Sequence, residues 1–339
     1  MSNRLSFLDS LRGISIIMIV AGHALYYAKD LSPAATENIR YLFLMGLPTF
    51  YFVDGFLLAR GMLSDGCYDY LSTIKKSAFR LLIPWLVFSV LYALSRAYFE
   101  SKGLGYKEKL IVGHPWPYII QQVYSAACAQ QMYFLLSLFL CRLCAPIVGT
   151  LFVRPRLLTS ALLWSCYFGF IRWVMPLINP FTHLAERQNP VENAVWGMQF
   201  FLLGVVVYRL SETVDFRKLL VPGIGLILMS VFIKDRIFFQ YGSLLTVFLL
   251  FMFFKNGFTA LNFVGRSTMG IYLIHSPFAL KAVSLITSRY ITDPLPAYLV
   301  LVSATTALTV LFVSIINRLP YGPLLFGVPV RSAKSARTI

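Results

Sequence analysis

Charged side chains are scarce in this sequence, and acidic ones are the scarcest. Asp, Glu, Lys and Arg together make up 13% of its 339 residues, whereas they make up about a quarter of a soluble globular domain. Apolar side chains make up 58% and gather in runs of about 20 residues, the length of one helical crossing of a bilayer. This composition excludes a soluble domain and predicts a polytopic membrane protein.

The shortage of acids, 14 Asp and Glu against 30 Lys and Arg, leaves a formal net charge of +16. A charge of this size could indicate nucleic-acid binding, but nucleic-acid-binding proteins gather their cations into one polar patch. Here the cations punctuate the apolar runs, which is the pattern of membrane loops under the positive-inside rule. We therefore expect membrane lipid as a partner and no nucleic acid.

Metal-binding and soluble-enzyme motifs are missing as well. Cys141 and Cys144 have a metal-like spacing, but no second Cys or His pair accompanies them. The sequence has no Gly-x-Ser-x-Gly elbow, no P-loop, no His-Glu-x-x-His and no His-x-x-x-x-Asp box. We expect the five cysteines to be free thiols, and we expect neither a metal nor a permanently bound cofactor.

The apolar runs can be counted. Ten of them fit one crossing each, near 13–28, 41–59, 81–99, 131–152, 157–178, 194–210, 219–233, 237–254, 268–287 and 295–317. The predicted fold class is therefore all-α, a polytopic membrane bundle of about ten transmembrane helices. The first run lacks a small-residue cleavage site, so we expect it to remain as helix one. Without internal repeats or Gly/Ser linkers, residues 1–339 are predicted to form a single integral membrane domain with a short basic tail from about 319.

Loop charge predicts the orientation. An even number of crossings places both termini on one side, and the loops that share that side hold the larger number of Lys and Arg residues. This excess predicts N-in and C-in. Two long segments then lie outside, 100–130 and 179–193. Pro115 and Pro117 break any continuous helix in the first, which suggests a short interfacial or re-entrant helix there.

The stretch from Arg12 to His23 contains the strongest candidates for catalytic residues. Eleven residues make about three helical turns, so these two side chains and Asp9 share one face, with Arg12 and His23 about 16 Å apart along the axis. A histidine inside a spanning helix is costly unless it faces protein or water. A neutral imidazole there could take a proton from a hydroxyl, or could simply be hydrogen-bonded to a neighbouring helix.

Several segments resemble acyltransferase family three. Asp9-Ser-Leu-Arg12-Gly13 followed by His23 is similar to the family's opening helix, in which an Arg precedes a His by ten intervening residues. Gly265-Arg266-Ser267 through Ile271-Tyr272-Leu-Ile-His275 resembles its closing motif. Phe79-Arg80-Leu-Leu-Ile-Pro84 resembles the run that follows an Arg-x-x-Arg pair, with Ser77 in place of the first Arg. The resemblance covers nearly the whole length.

The resemblance implies roles for these residues. Arg12, Lys76, Arg80 and Arg266, all predicted on the cytoplasmic side, would hold the phosphates of acetyl-CoA, because guanidinium and ammonium groups pair well with phosphate. His23 would be the general base, or would carry the acyl group transiently, and Arg12 would assist it. As a positive-inside anchor alone, Arg12 would need no further explanation.

Four further residues are candidate substrate contacts. Asp54 lies in a Phe-rich segment where the family has Ser, and Tyr133 lies in a segment similar to the family's Trp-Tyr/Phe-Leu element. Tyr272 and His275 share a helix face. Each also has a simpler interpretation: Asp54 as a helix-end acid, Tyr133 as part of an interfacial aromatic belt, and the last two as a packing strip.

The implied function is transfer of an acetyl group from cytoplasmic acetyl-CoA to a hydroxyl of a cell-surface glycan or its undecaprenyl-linked precursor. O-antigen and exopolysaccharide sugars in a bacterial inner membrane are the acceptors that the family implies. The residues alone leave a second class open, a proton-coupled secondary transporter of a small anionic or sugar substrate that uses His23 to carry the proton. Transporters of this size tend to show internal repeats and short, interrupted spans, which this sequence lacks.

Overall fold

Helices form at every apolar run that the sequence contains. The computed structural model describes residues 5–28, 31–64, 68–103, 109–124, 127–128, 130–177, 189–215, 217–233, 235–254 and 257–329. Within these ranges the chain contains no β-strand. In a bilayer the backbone must satisfy its own hydrogen bonds, which a helix does within one segment.

Sixteen α-helices occupy the described ranges, and we number them in chain order. They are α1 (Ser6–Ala24), α2 (Pro33–Leu42), α3 (Gly46–Ser64), α4 (Tyr70–Ser101), α5 (Trp116–Tyr124), α6 (Tyr133–Leu143), α7 (Ala145–Val148), α8 (Leu157–Gly169), α9 (Pro190–Ser211), α10 (Arg217–Ile233), α11 (Arg236–Phe253), α12 (Thr259–Arg266), α13 (Thr268–Ile274), α14 (Leu280–Tyr290), α15 (Pro294–Ile316) and α16 (Gly322–Leu325). Short π-helical turns follow α7, α8 and α13.

The multi-pass membrane fold is confirmed. Eight helical stretches of the described chain are long and apolar enough to cross a membrane, namely Ser6–Ala24, Pro33–Leu63, Tyr70–Ser101, Leu157–Leu177, Pro190–Ser211, Arg236–Phe253, Thr268–Tyr290 and Pro294–Ile316. A ninth results if Tyr133–Leu143 and Ala145–Val153, which meet at 51°, form one broken span. The remaining predicted run, 219–233, coincides with α10, whose apolar part Leu220–Ser230 is shorter.

The chain divides into two compact units. The first consists of Met1–Gly66, Gly149–Trp164 and Phe200–Val313, and the second of Cys67–Val148, Ser165–Gln199 and Ser314–Ile339. The first unit therefore contains both segments with the most specific family-like motifs, around His23 and around His275. The second contains Lys76, Arg80 and Tyr133.

Helix α1 lies in the core of the first unit, where it packs against α3, α11, α12 and α13. Leu11, Ile16, Val20 and Ala24 have no exposed surface, so the helix is surrounded by protein along much of its length. This burial satisfies the condition under which a histidine inside a span is tolerated.

Glycines allow two helices of the first unit to meet at backbone distance. A Cβ atom added to Gly55 in α3 would lie 1.9 Å from the carbonyl oxygen of Phe201 in α9. One added to Gly204 in α9 would lie 2.0 Å from the carbonyl oxygen of Phe52. Small residues at such positions permit the close van der Waals packing that holds membrane helices together.

The second unit contains the predicted short helix of the segment 100–130. It is α5, which exposes Trp116 and Ile120. Residues 110–112, shortly before α5, are held by Glu100, whose buried carboxylate binds Arg96 and accepts the backbone N–H groups of these three residues. Most of the predicted outer segment 179–193 and the end of the basic tail lie outside the described residues.

Candidate functional site

Two histidines 252 positions apart in the chain form a hydrogen-bonded pair. Nε2 of His275 lies 3.1 Å from Nδ1 of His23, and the ring centroids are 5.0 Å apart. His275 is completely buried, whereas His23 is only partly so. The buried ring of His275 therefore contacts the ring of His23, and His23 is the member of the pair with accessible surface.

His275 takes its position because α13 ends at Ile274. Ser276 has an extended backbone, with φ −129° and ψ 139°, and Pro277 has no N–H to donate to the last turn. The ring of His275 closes this end of the helix instead, since its Nδ1 lies 3.0 Å from the carbonyl oxygen of Ile271 and 2.8 Å from that of Tyr272.

These contacts fix the positions of the ring hydrogens. A carbonyl oxygen can only accept, so Nδ1 of His275 carries a hydrogen and, in the neutral ring, its Nε2 carries a lone pair. Nδ1 of His23 then donates to that lone pair. The Nε2 of a neutral His23 is left with a lone pair of its own, which is the form that a general base requires.

A second cluster lies on α1, nearer its beginning. Nη1 of Arg12 is 3.8 Å from one carboxylate oxygen of Asp9, and Nε of Arg266 is 3.9 Å from the other. The Asp9 side chain is buried, while 21% of Arg12 and 59% of Arg266 remain exposed. Two guanidinium groups around one carboxylate leave a net positive charge, and each guanidinium has five N–H donors. The cluster is suited to an anion such as phosphate.

Helices α1 and α12 meet through the glycines beside these two arginines. A Cβ atom on Gly13 would lie 2.2 Å from the carbonyl oxygen of Leu261, and one on Gly265 would lie 1.9 Å from that of Asp9. Backbone contact of this kind is possible only where no side chain intervenes. It brings Arg12 and Arg266 to the same carboxylate.

Ser10 secures the same junction. Its hydroxyl donates to Oδ1 of Asn262 at 2.6 Å and accepts the backbone N–H of Phe258 at 2.8 Å.

Near the other end of α1, the hydroxyl of Tyr298 in α15 donates to the carbonyl oxygen of Ala21 at 3.1 Å, two residues before His23. Sequence reasoning missed these contacts, because they join segments that are far apart in the chain.

Comparison with known proteins gives the family of the chain. Residues 5–314 match the family described as an acyltransferase domain. The chain belongs to acyltransferase family three. The match extends from just before α1 into the last turn of α15, so it includes both clusters.

One relative of this chain is the succinoglycan biosynthesis protein ExoH of Rhizobium meliloti (strain 1021). It is 35% identical over 130 residues, which correspond to 36% of this chain and 34% of ExoH. The alignment thus spans about a third of the relative's length. No solved structure matches the chain.

The other candidate substrate contacts of the first unit also lie in its core. Tyr272 is buried, and its ring centroid is 6.0 Å from that of His275. Asp54 is buried within α3. The structure therefore joins Arg12 with Arg266 and His23 with His275 and Tyr272, and substrate contact by any of them stays a prediction.

The second unit of the chain contains Lys76, Arg80 and Tyr133. Lys76 and Arg80 are exposed about one turn apart on α4, and the partly buried Tyr133 begins α6. That Lys76 and Arg80 bind the same ligand as Arg12 stays a prediction.

The described part of the chain contains no group of three or more His, Cys, Asp or Glu residues that could hold a metal ion. Among the described residues, Cys128, Cys141, Cys144 and Cys166 form no disulfide, and Cys67 lies outside the described residues. Burial raises the pKa of the Cys128 thiol, which makes it a poor nucleophile.

Proposed function

We propose that this protein is a membrane O-acetyltransferase of the bacterial inner membrane. It moves the acetyl group of cytoplasmic acetyl-CoA to a hydroxyl of a surface polysaccharide or of its undecaprenyl-linked precursor. The observation that carries the proposal is the contact between Nε2 of His275 and Nδ1 of His23, because it prepares a base on the helix that also holds Arg12.

The arginine cluster is proposed as the donor site. Arg12 and Arg266 converge on Asp9 and bind the phosphates of acetyl-CoA, together with Lys76 and Arg80. Arg12 and His23 are about 16 Å apart along α1, and the extended pantetheine arm of coenzyme A has a comparable length. Phosphates at Arg12 therefore allow the thioester to reach His23 along the helix.

The base at His23 is proposed to activate the acceptor. Nε2 of His23 removes the proton of a sugar hydroxyl while the hydroxyl oxygen attacks the thioester carbonyl. The C–S bond then breaks, and the leaving thiolate takes the proton back from the imidazolium. His275 keeps Nδ1 of His23 protonated throughout, so it is a positioning residue. Asp54, Tyr133 and Tyr272 are proposed to contact the sugar.

The relative supports the acceptor class. ExoH is named for succinoglycan biosynthesis, so a succinoglycan-like exopolysaccharide is the acceptor we propose first, with O-antigen sugars of lipopolysaccharide second.

The transporter alternative uses the same His23. It predicts proton-coupled uptake by vesicles that contain no acyl donor, whereas the transferase predicts none.

Mass spectrometry of surface glycans tests the proposal. A strain that lacks the gene should lose one acetyl group per modified sugar, and the wild-type gene should restore it. His23→Ala should lower the transfer rate about a hundredfold or more, because it removes the base, with unchanged protein in the membrane. His114→Ala is the matched control, since His114 is an exposed residue of the second unit. Unaltered glycans in the deletion strain, or full activity of His23→Ala, would contradict the proposal.

A further inference from the structure

Arg142 is one of two arginines that the sequence places well inside an apolar run. It lies in the last turn of α6, and its Nη1 donates to the hydroxyl of Ser77 in α4 at 2.7 Å. Ser77 is buried and donates in turn to the carbonyl oxygen of Thr73 at 2.8 Å. The hydroxyl thus holds the guanidinium of Arg142 against a defined turn of α4.

That turn also contains exposed cations. Lys76 precedes Ser77, and Arg80 follows it by about one helical turn. The acidic residue at the start of α4, Asp69, is engaged as the N-cap, where it accepts the backbone N–H of Ser72 at 3.1 Å. Lys75, Lys76 and Arg80 nevertheless outnumber Asp69 in this part of α4, and Arg142 adds a planar, forked donor to it.

The residue at position 77 explains why the contact with Arg142 matters for phosphate binding. The sequence has Ser77 where the resemblance leads one to expect the first arginine of an Arg-x-x-Arg pair, and the structure brings the guanidinium of Arg142 to that same position from α6. A short hydroxyl at 77 leaves room for the arginine, and it accepts its hydrogen bond. A guanidinium is thus present at the residue three positions before Arg80, although a different helix supplies it.

We infer that Arg142 is a binding residue for the phosphates of the acyl donor, and that it acts with Arg80 and Lys76 on α4. The inference rests on the proposed function and adds a residue to its donor site. A phosphate bound here accepts charge-assisted hydrogen bonds from a guanidinium already held in place by Ser77. Binding therefore requires little ordering of the Arg142 side chain.

The experiment exchanges the two residues. Arg142→Ser should weaken the binding of radiolabelled CoA to the purified, detergent-solubilised protein about tenfold or more, because it removes a charge-assisted hydrogen-bond donor. The binding of pantetheine, which has the thiol arm but no phosphate, should not change. In the double variant Ser77→Arg/Arg142→Ser, α4 itself supplies the guanidinium, so CoA affinity should return to within about threefold of the wild type.

Arg172→Ser is the matched control, because Arg172 is the other arginine inside an apolar run. Unchanged CoA affinity in Arg142→Ser would overturn the inference, and so would equal losses for CoA and pantetheine, which would indicate a purely structural role. If Arg142→Ser does not accumulate, the affinities for CoA and for pantetheine are compared instead in Arg142→Lys and in the double variant Ser77→Arg/Arg142→Ser. A wild-type protein that binds no CoA would contradict the proposed function itself, whereas a wild type that binds CoA with an unaffected Arg142→Ser contradicts only the role of Arg142.

Discussion

At the scale of single residues, the hydrogen-bonded imidazole pair determines what the site can do. An isolated neutral histidine exchanges between two tautomers, only one of which has a lone pair at Nε2. The carbonyl oxygens of Ile271 and Tyr272 orient His275, and His275 then selects one tautomer of His23. A carboxylate orients the histidine in serine hydrolases, and here a second, completely buried imidazole occupies that position.

Substitutions of His275 test whether it orients His23. His275→Leu should lower kcat about a hundredfold with little change in the KM for acetyl-CoA, because His23 loses its orientation while the arginine cluster is intact. His275→Gln should recover a large part of kcat, since its side-chain oxygen can accept the hydrogen bond from Nδ1 of His23. A merely structural role would give equal losses of activity for the two variants after correction for protein amount.

At the scale of secondary structure, the site depends on one helix contact and one helix break. The contact of α1 with α12 brings two arginines to Asp9, and it requires glycine at positions 13 and 265. The break at Ser276 ends α13 so that the ring of His275 can bind its last carbonyl groups. Both features determine where the proposed reacting groups lie.

Gly265→Ala tests the helix contact. The added methyl group would lie 1.9 Å from the carbonyl oxygen of Asp9, so α1 and α12 must separate, at a cost of about 1–3 kcal/mol in the free energy of unfolding. We expect a lower thermal midpoint and a higher KM for acetyl-CoA. Gly61→Ala in α3 is the matched control, because a methyl group there meets no atom within 4 Å. Equal behaviour of the two variants in both measurements would show that the contact does not position the arginines.

At the scale of the whole molecule, the proposed chemistry requires a donor from one side of the membrane and an acceptor from the other. Arg12 and His23 lie toward opposite ends of α1, which crosses from the predicted cytoplasmic side. The proposed direction of transfer therefore depends on the N-in and C-in topology that loop charge predicts.

Fusions at the C-terminus test the topology. A green fluorescent protein joined there should fluoresce, because it folds in the cytoplasm, while an alkaline phosphatase at the same point should be inactive. A phosphatase fusion inserted after Gly113, in the predicted outer segment, should be active. The reverse pattern would place Arg12 on the outside and remove access to cytoplasmic acetyl-CoA.

The sequence predicted the membrane helices well because bilayer thickness imposes a length and a hydropathy that can be counted. It did not predict α2, which is mildly amphipathic and precedes the second apolar run. The second run itself was placed at 41–59, whereas α3 spans Gly46–Ser64. Helix ends depend on turns and caps, which apolar composition does not determine.

The sequence predicted the residues of the candidate site but not the tertiary contacts between them. The spacing of Arg12 and His23 fixes their common face, because both lie on one helix. The pairing of His23 with His275 depends on tertiary packing and on the break at Ser276, which no local pattern specifies. The glycines beside Arg12 and Arg266 were a usable signal, since each adjoins an arginine of a recognised motif.

The imidazole contact also has a consequence for biosynthesis. The ribosome delivers α1 to the membrane at the beginning of translation, and the segment with His275 follows 252 residues later. Only after that segment has inserted can His275 contact the imidazole of α1. Under the proposed function, a nascent or prematurely terminated chain therefore lacks the base that His275 orients, and full transferase activity arises only when the late helices have been added.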